Sequence, residues 1–150
     1  MVALALGGAR PAVAADWEVK RVTRPDGTGG RCVLESRRQP LSDGYQTTTA
    51  QIVVDRRTIA VTSPSNLDPG SGDIGLAIDG GALVPMDRLE GRRTAVFESA
   101  YERLIAQFMA GARVEARLRF WPEWPATGTH AATFSLLGFT KAYGALAGCR

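Results

Sequence analysis

The sequence predicts a mainly β, α+β fold: an antiparallel β-sandwich-like domain of about seven to nine short strands, with two helices in the C-terminal third. Over the first two-thirds of the 150 residues, short segments rich in β-branched residues alternate apolar and polar side chains between glycine- and proline-rich turns. The last third shows the helical period of about 3.6 residues twice. Strands followed by helices favour a sheet or small sandwich with the helices packed on one side.

The N-terminal residues 1–14 (MVALALGGARPAVA) predict a truncated signal peptide. They are small and apolar and end in an A-x-A-like site, so cleavage is expected after Ala14. The basic region and longer apolar core of a complete leader are cut short, which favours a true start codon upstream. The alternative is an alanine-rich tail. Residues 15–150 are then expected to form a single β-rich domain without a membrane span, which needs about 18 apolar residues.

The first elements predict a hairpin followed by a loop. Residues 16–22 (DWEVKRV) alternate as an edge strand would, and residues 25–30 (PDGTGG) supply turn chemistry. Residues 31–36 form the return strand. We expect residues 39–45 to be a loop.

The middle of the chain predicts two further hairpins. Residues 47–54 and 58–63 are rich in β-branched side chains and flank a short turn. Residues 64–72 (PSNLDPGSG) form the longest predicted loop. Residues 74–79 and 82–86 then form a strand–turn–strand unit around a Gly-Gly pair.

The helical period begins after this unit. Ser99 and Glu102 are spaced as a capping box, in which the two side chains satisfy free N–H groups at a helix start. The apolar stripe that follows consists of Tyr101, Leu104, Ile105, Phe108 and Met109. Gly111 is typical of a residue that ends a helix. We therefore predict a helix from Tyr101 to Met109.

Residues 113–120 form the most regular predicted strand. One face is apolar, and the other is charged and faces water. Residues 121–125 (WPEWP) end this strand, because proline cannot join the interior of a ladder. Residues 131–136 predict a last strand. A second helical stripe follows at Phe139, Ala142, Tyr143 and Leu146.

The two cysteines, Cys32 and Cys149, are expected to pair in an exported chain. Their bridge would tie the last helix to the first hairpin, and the chain-entropy model assigns so long a loop about 4.5–5 kcal/mol of stabilisation. The alternative is two free, buried thiols in a cytosolic protein. Two cysteines and the single histidine, His130, fall short of four metal ligands, so no metal site is expected.

The charge balance argues against nucleic-acid binding. The formal net charge is +3, and removal of the leader would lower it to about +2. A nucleic-acid-binding domain usually carries a strongly basic face.

Catalytic patterns are also missing from the sequence. His130 and Ser135 are five residues apart, which places them on opposite faces of a strand, and no G-x-S-x-G motif occurs. Four carboxylates could support a glycoside hydrolase but form no motif: Asp79, Asp87, Glu98 and Glu102. Residues 68–73 lack the ligand spacing of an EF-hand and are interpreted as a surface turn.

The strongest candidate for a recognition surface is the pair Trp121 and Trp124, which neighbouring prolines hold rigid. Single arginines and three arginine doublets could add a basic surface that attracts anionic envelope components. The single arginines are Arg113, Arg117 and Arg119, and the doublets are residues 37–38, 56–57 and 92–93. The alternative is that the tryptophans cover the end of the core and the arginines pair with nearby carboxylates.

Residues 104–120 (LIAQFMAGARVEARLRF) and 135–146 (SLLGFTKAYGAL) resemble the invasion-associated locus B family of bacterial exported proteins. Residues 74–81 (IGLAIDGG) are similar to the central β region of that family. Family members commonly carry a further cysteine pair where this chain has residues 94–99, so only one bridge is possible here. The resemblance implies an envelope location and carries over no catalytic residues.

The sequence therefore predicts a non-enzymatic periplasmic or secreted protein that acts through protein or envelope contact. Its expected partner is an unknown protein or an anionic envelope component, with no nucleic acid and no cofactor. Two alternatives stay open: a carboxylate-based hydrolase of cell-wall glycans, and a carrier of small apolar ligands with a cavity between the sheet and the helix from Tyr101 to Met109.

Overall fold

The computed structural model describes residues 15–70, 72–122 and 128–149, and these ranges confirm the predicted fold class. Seven strands form the first sheet: Trp17–Thr23 (β1), Gly30–Ser36 (β2), Gln39–Ser42 (β3), Thr47–Val54 (β4), Ile59–Thr62 (β5), Arg88–Glu90 (β8) and Thr94–Phe97 (β9). Four strands form the second sheet: Gly75–Ile78 (β6), Val84–Pro85 (β7), Arg113–Leu118 (β10) and His130–Ser135 (β11). The helices are Tyr101–Ala110 (α1) and Phe139–Gly148 (α2).

Both sheets are antiparallel, and their inner faces share one apolar core with the two helices. The first sheet runs in the order β1-β2-β4-β5-β9-β8, with β3 also paired to β4, and the second runs β11-β10-β6-β7. The predicted edge position of β1 is confirmed. The regular alternation of β10 is confirmed too, since Val114, Ala116 and Leu118 are buried.

The prediction of a loop over 39–45 is wrong, because its first part is strand β3. Between Leu34 and Gln39 the chain advances five residues, while the partners on β4, Val54 and Ala50, are four apart. The extra residue is a β-bulge, which bends a strand without ending it. Here the Ser36 hydroxyl accepts a hydrogen bond from the Ile52 N–H at 2.9 Å in place of a backbone partner. β2 and β3 are therefore two halves of one bent strand.

Strands β8 and β9 also lie outside the predicted elements. Ala95, Val96 and Phe97 are consecutive and all buried, so β9 is covered on both faces. A strand buried on both faces shows an apolar run instead of the alternation that identifies a half-exposed strand.

The predicted capping box at the start of α1 is wrong. Ala100 precedes the first helical residue, and no side chain caps the helix. The Ser99 hydroxyl instead donates to the carboxylate of Asp87, which follows β7. Leu104, Ile105 and Phe108 are buried as expected. Met109 is 42% exposed, so the buried stripe of α1 is narrower than the sequence indicates.

Helix α2 packs over β1 and β2, and the predicted bridge between Cys32 and Cys149 is formed. The ring of Trp17 packs edge-on against Phe139, with ring centroids 5.0 Å apart. The Trp17 indole N–H donates to the Ser135 carbonyl at 2.8 Å. Within the described ranges, neither helix is long and apolar enough to cross a membrane.

Candidate functional site

Two exposed aromatic side chains lie together at one end of the molecule. Tyr45 is 60% exposed and Trp121 is 59% exposed, and both line a cavity of about 240 Å³ with Asn66 and Arg93. The Tyr45 hydroxyl donates to the Pro122 carbonyl at 3.0 Å, which fixes the phenol beside the tryptophan. We call the surface formed by Tyr45, Asn66, Arg93 and Trp121 the aromatic trough.

The chain beyond β10 places Trp121 in this surface. Phe120 and Leu67 form an antiparallel bridge and are both buried. The Trp121 N–H donates to the Asn66 carbonyl at 2.9 Å. Because successive side chains of an extended segment point to opposite sides, burial of Phe120 and Leu67 turns Trp121 and Asn66 outward.

A buried carboxylate holds Tyr45 in place. Asp43 accepts hydrogen bonds from the N–H groups of Tyr45 and Gln46, both at 2.9 Å, and from the Ser65 hydroxyl at 2.8 Å. Burial alone would raise the pKa of Asp43, but these hydrogen bonds outweigh it and lower the pKa below its usual range. The carboxylate thus stays ionised and joins the turn that carries Tyr45 to the segment that carries Asn66.

Arg93 comes from the turn between β8 and β9. Its carbonyl accepts from the Ser63 N–H at 3.0 Å, and the neighbouring Arg92 carbonyl accepts from the Leu67 N–H at 2.7 Å. The Arg93 guanidinium donates to the Asn66 side chain at 3.4 Å. Among the described residues no carboxylate forms an ion pair with Arg93.

Two further cavities adjoin the trough. One of about 270 Å³ lies on the outer face of the first sheet and shares Pro64 and Arg93 with it. This cavity is also lined by Arg38, Thr49, Gln51, Thr62 and Ser63. The other, of about 240 Å³, shares Asn66 and Trp121 with the trough and reaches Leu89. Because neighbouring cavities share lining residues, we treat the three together and call them the depression.

The predicted recognition residues have different surroundings in the structure. Trp121 lies in the trough, whereas Trp124 falls outside the described residues. Arg117 pairs with Glu115 at 2.8 Å, and Arg119 pairs with Asp73 at 3.0 Å.

The remaining predicted positions lie away from the trough. Arg113 begins β10 and therefore lies at the other end of the strand from Trp121. The bridged Cys32 and Cys149 line a separate cavity of about 360 Å³ with Arg31 and Arg56.

Two residues of the depression, Tyr45 and Asn66, were not predicted, and two others, Arg38 and Arg93, were considered only as part of a possible basic surface. Arg38 and Arg93 each belong to an arginine doublet, which is the one signal that the sequence offers for them. Nothing in the sequence distinguishes Tyr45 or Asn66 from other loop residues.

Two of the four carboxylates considered for catalysis, Asp79 and Asp87, bind backbone N–H groups, and a third, Glu98, pairs with Arg88. Asp79 accepts from the N–H groups of Ala112 and Arg113, both within 3.1 Å. Asp87 accepts from the hydroxyl and N–H of Ser99 and from the N–H of Glu98, and these bonds lower the pKa of Asp87.

The single histidine, His130, lies beside an aromatic ring. His130 begins β11, and its ring lies 6.2 Å from that of Phe120 between centroids. In the ranges that the structure describes, no three His, Cys, Asp or Glu side chains lie close enough to hold a metal ion.

An apolar groove of about 610 Å³ lies between β1 and α2. Its lining includes Trp17, Val19, Leu137 and Ala142. The ligand carrier considered above required a cavity against α1, whereas this groove is formed by α2.

Comparison of the chain with protein-family models, curated proteins and solved structures finds no match.

Proposed function

We propose that the protein is a non-enzymatic, exported protein of the bacterial envelope that binds an anionic envelope component through the aromatic trough. The observation that carries this proposal is the exposure of Tyr45 and Trp121 side by side in a cavity that also presents Arg93. Aromatic side chains offer a large contact area at a low cost in conformational entropy, and they dominate binding energy where a partner covers them.

The bridge between Cys32 and Cys149 supports the proposed compartment, because disulfides persist mainly in oxidising spaces such as the periplasm. The predicted leader over 1–14 and the resemblance of residues 104–120 and 135–146 to the invasion-associated locus B family support the same location.

The charges around the depression favour a negatively charged partner. Arg38 and Arg93 both line it and form no ion pair with any carboxylate in the described ranges. The Asp43 carboxylate also lies there, but three hydrogen bonds already occupy its oxygens. The net field of two guanidinium groups and one carboxylate attracts anions.

Co-sedimentation with isolated cell envelopes tests this proposal. Trp121→Ala should weaken the association about tenfold or more, because it removes the largest exposed contact surface of the trough. Met109→Ala removes an exposed apolar side chain on α1 and serves as the control, since it should sediment like the wild-type protein. High salt should weaken the wild-type association because the attraction is partly Coulombic.

Equal sedimentation of the two variants would contradict the proposal. So would an association that is insensitive to salt. Circular dichroism of both variants shows that each is folded before its binding is compared.

A further inference from the structure

We infer that the depression is a groove for a linear acidic polysaccharide, whose sugar carboxylates are bound by Arg38 and Arg93 while its rings stack on Tyr45 and Trp121. This inference rests on the proposed function and names the chemical class of the envelope component. It is carried by two arginines that form no ion pair with a carboxylate in the described ranges, a row of hydroxyl and amide side chains, and the adjoining aromatic rings.

A polar row crosses three neighbouring strands, and two of its members, Gln51 and Thr62, line the groove. Gln51 on β4 lies opposite Thr62 on β5, and Thr62 lies opposite Thr94 on β9. The hydroxyls of Thr62 and Thr94 are 3.4 Å apart, so both side chains are on the same face. Neighbouring strands are about 4.8 Å apart, so the row extends about 10 Å. Such a row offers donors and acceptors to successive sugar hydroxyls.

The two arginines are suited to carboxylates. Arg38 and Arg93 both line the 270 Å³ cavity above this row. A guanidinium binds a carboxylate through two parallel hydrogen bonds, which a neutral sugar cannot accept in the same way. Arg117 and Arg119 on the other sheet already pair with carboxylates, so they do not offer a comparable site.

The aromatic trough continues the groove. Tyr45 and Trp121 line the 240 Å³ cavity, which shares Arg93 with the cavity on the sheet face. The negative face of an aromatic ring attracts the slightly positive C–H groups of a sugar ring. Together the three cavities fall within the range of about 300–1,000 Å³ that small-ligand sites occupy, which suits a few sugar units.

A peptide strand is a poorer occupant of this surface. β4 and β5 are interior strands whose backbone groups are already paired on both sides. Strand addition requires a free sheet edge. The 270 Å³ cavity that holds both arginines lies on the sheet face, whereas the cavity at Leu89 is the part that reaches the edge strand β8. A membrane surface is also a poorer fit, since threonine and glutamine side chains line a recessed cavity instead of a protruding apolar patch.

Isothermal titration with defined oligosaccharides tests the inference. The probes are a hexamer of galacturonic acid and, as the neutral match, maltohexaose, both at an ionic strength of about 0.15 M, where charges more than about 8 Å apart are largely screened. We expect the wild-type protein to bind the acidic hexamer at least about tenfold more tightly than maltohexaose. A tenfold difference in affinity is about what one good charged contact contributes. The double variant Arg38→Gln/Arg93→Gln should lose this preference.

The matched control is Arg103→Gln/Arg113→Gln. It removes the same charge from two exposed arginines of α1 and β10 that lie outside the groove. It should bind the acidic hexamer within about twofold of the wild type, because long-range attraction between exposed charges is weak. Trp121→Ala should weaken the binding of the hexamer in both the wild-type and the control background.

Equal affinity for the two hexasaccharides, or equal losses in the two double variants, would overturn the inference. Binding to phosphatidylglycerol vesicles but not to the hexamer would also overturn it. If the trough-dependent association with envelopes persists while the hexamer does not bind, the polysaccharide assignment fails and the proposed function stands. If neither association depends on Trp121, both fail.

Discussion

At the residue scale, Asp43 shows how one buried carboxylate shapes the aromatic trough. Its oxygens receive hydrogen bonds from Tyr45, Gln46 and Ser65, which belong to two segments far apart in the sequence. The Ser65 hydroxyl also lies 2.9 Å from the hydroxyl of Thr48, so the bonds extend into the first sheet. Without the carboxylate these donors would be left buried without an acceptor.

Asp43→Asn should therefore destabilise the protein. The amide keeps one acceptor oxygen but turns an NH₂ group toward the existing donors. We therefore expect the free energy of unfolding, measured with urea at pH 7, to fall by about 1–3 kcal/mol. The pKa of Asp43 is lowered by folding, so its stabilisation is fully present above the unfolded pKa of about 3.9 and fades as the pH falls below it.

The difference between Asp43→Asn and the wild type should accordingly shrink below about pH 4. Asp26→Asn is the matched control: Asp26 binds the N–H of Thr28 at 2.9 Å in an exposed turn, so its replacement should have a much smaller effect. A pH-independent difference for Asp43→Asn would show that the carboxylate charge does not hold the turn.

At the element scale, helix α2 is fixed by contacts of several kinds. The disulfide joins Cys149 to β2, and the Arg56 guanidinium donates to the Ala147 carbonyl at 3.0 Å. The Tyr101 hydroxyl donates to the Asp55 carbonyl at 2.6 Å and accepts from the Tyr143 hydroxyl at 2.9 Å. Burial, the hydrogen bond with Tyr143 and the nearby negative charge of Asp55 raise the pKa of Tyr101. These contacts bind α2 to α1 and to the turn between β4 and β5.

Removal of the bridge by Cys32→Ser/Cys149→Ser should cost about 4–5 kcal/mol of folding stability. The bridge closes a sequence separation of 117 residues and so removes much conformational freedom from the unfolded chain. Urea unfolding measures the loss, and hydrogen exchange should show that α2 amides lose protection before those of β4. The wild-type protein in reductant is the control and should behave as the variant does.

A loss below about 1 kcal/mol would contradict this account of the bridge. So would unchanged exchange in α2, since the remaining contacts of Tyr143 and Arg56 would then suffice to hold the helix.

Elements were predictable where the pattern depends on local sequence. β10 alternates because its neighbours bury one face and leave the other in water, and this shows directly in residues 113–118. β3 was missed because a bulge and Pro40 hide the continuation of a strand whose partner, β4, follows in the chain. The prediction of a capping box failed because the Ser99 hydroxyl binds Asp87, twelve residues earlier in the chain. Both errors come from tertiary contacts that override local preference.

At the scale of the whole molecule, the aromatic trough exists only after both sheets have assembled. Tyr45 follows β3, Asn66 follows β5, Arg93 precedes β9 and Trp121 follows β10. The sequence singled out Trp121 because two bulky aromatic residues beside prolines are unusual in a turn. The other three residues could not be grouped with it, since no local spacing relates four separate segments. Their convergence is set by the pairing of strands across the two sheets.

The same scale carries the prediction on export. The bridge joins residues near both ends of the described chain. Because disulfides form and persist mainly in oxidising spaces, the oxidation state of the two cysteines records whether the molecule has passed through one. Protein purified from the envelope fraction without reductant should begin at Ala15 and be two hydrogen atoms lighter than its reduced form, as intact mass measures. Alkylation should label it only after reduction.

The control is a version of the protein that starts at Ala15 and is made in a reducing cytosol. When this version is unfolded without a reductant, alkylation should label both of its thiols. Retention of residues 1–14 in the envelope material would contradict cleavage at Ala14. Two reactive thiols there would contradict passage through an oxidising compartment, and the envelope location proposed for the aromatic trough would then lose its support. An oxidised, processed chain would instead place the trough, held by β3 and β10, where anionic envelope polymers can reach it.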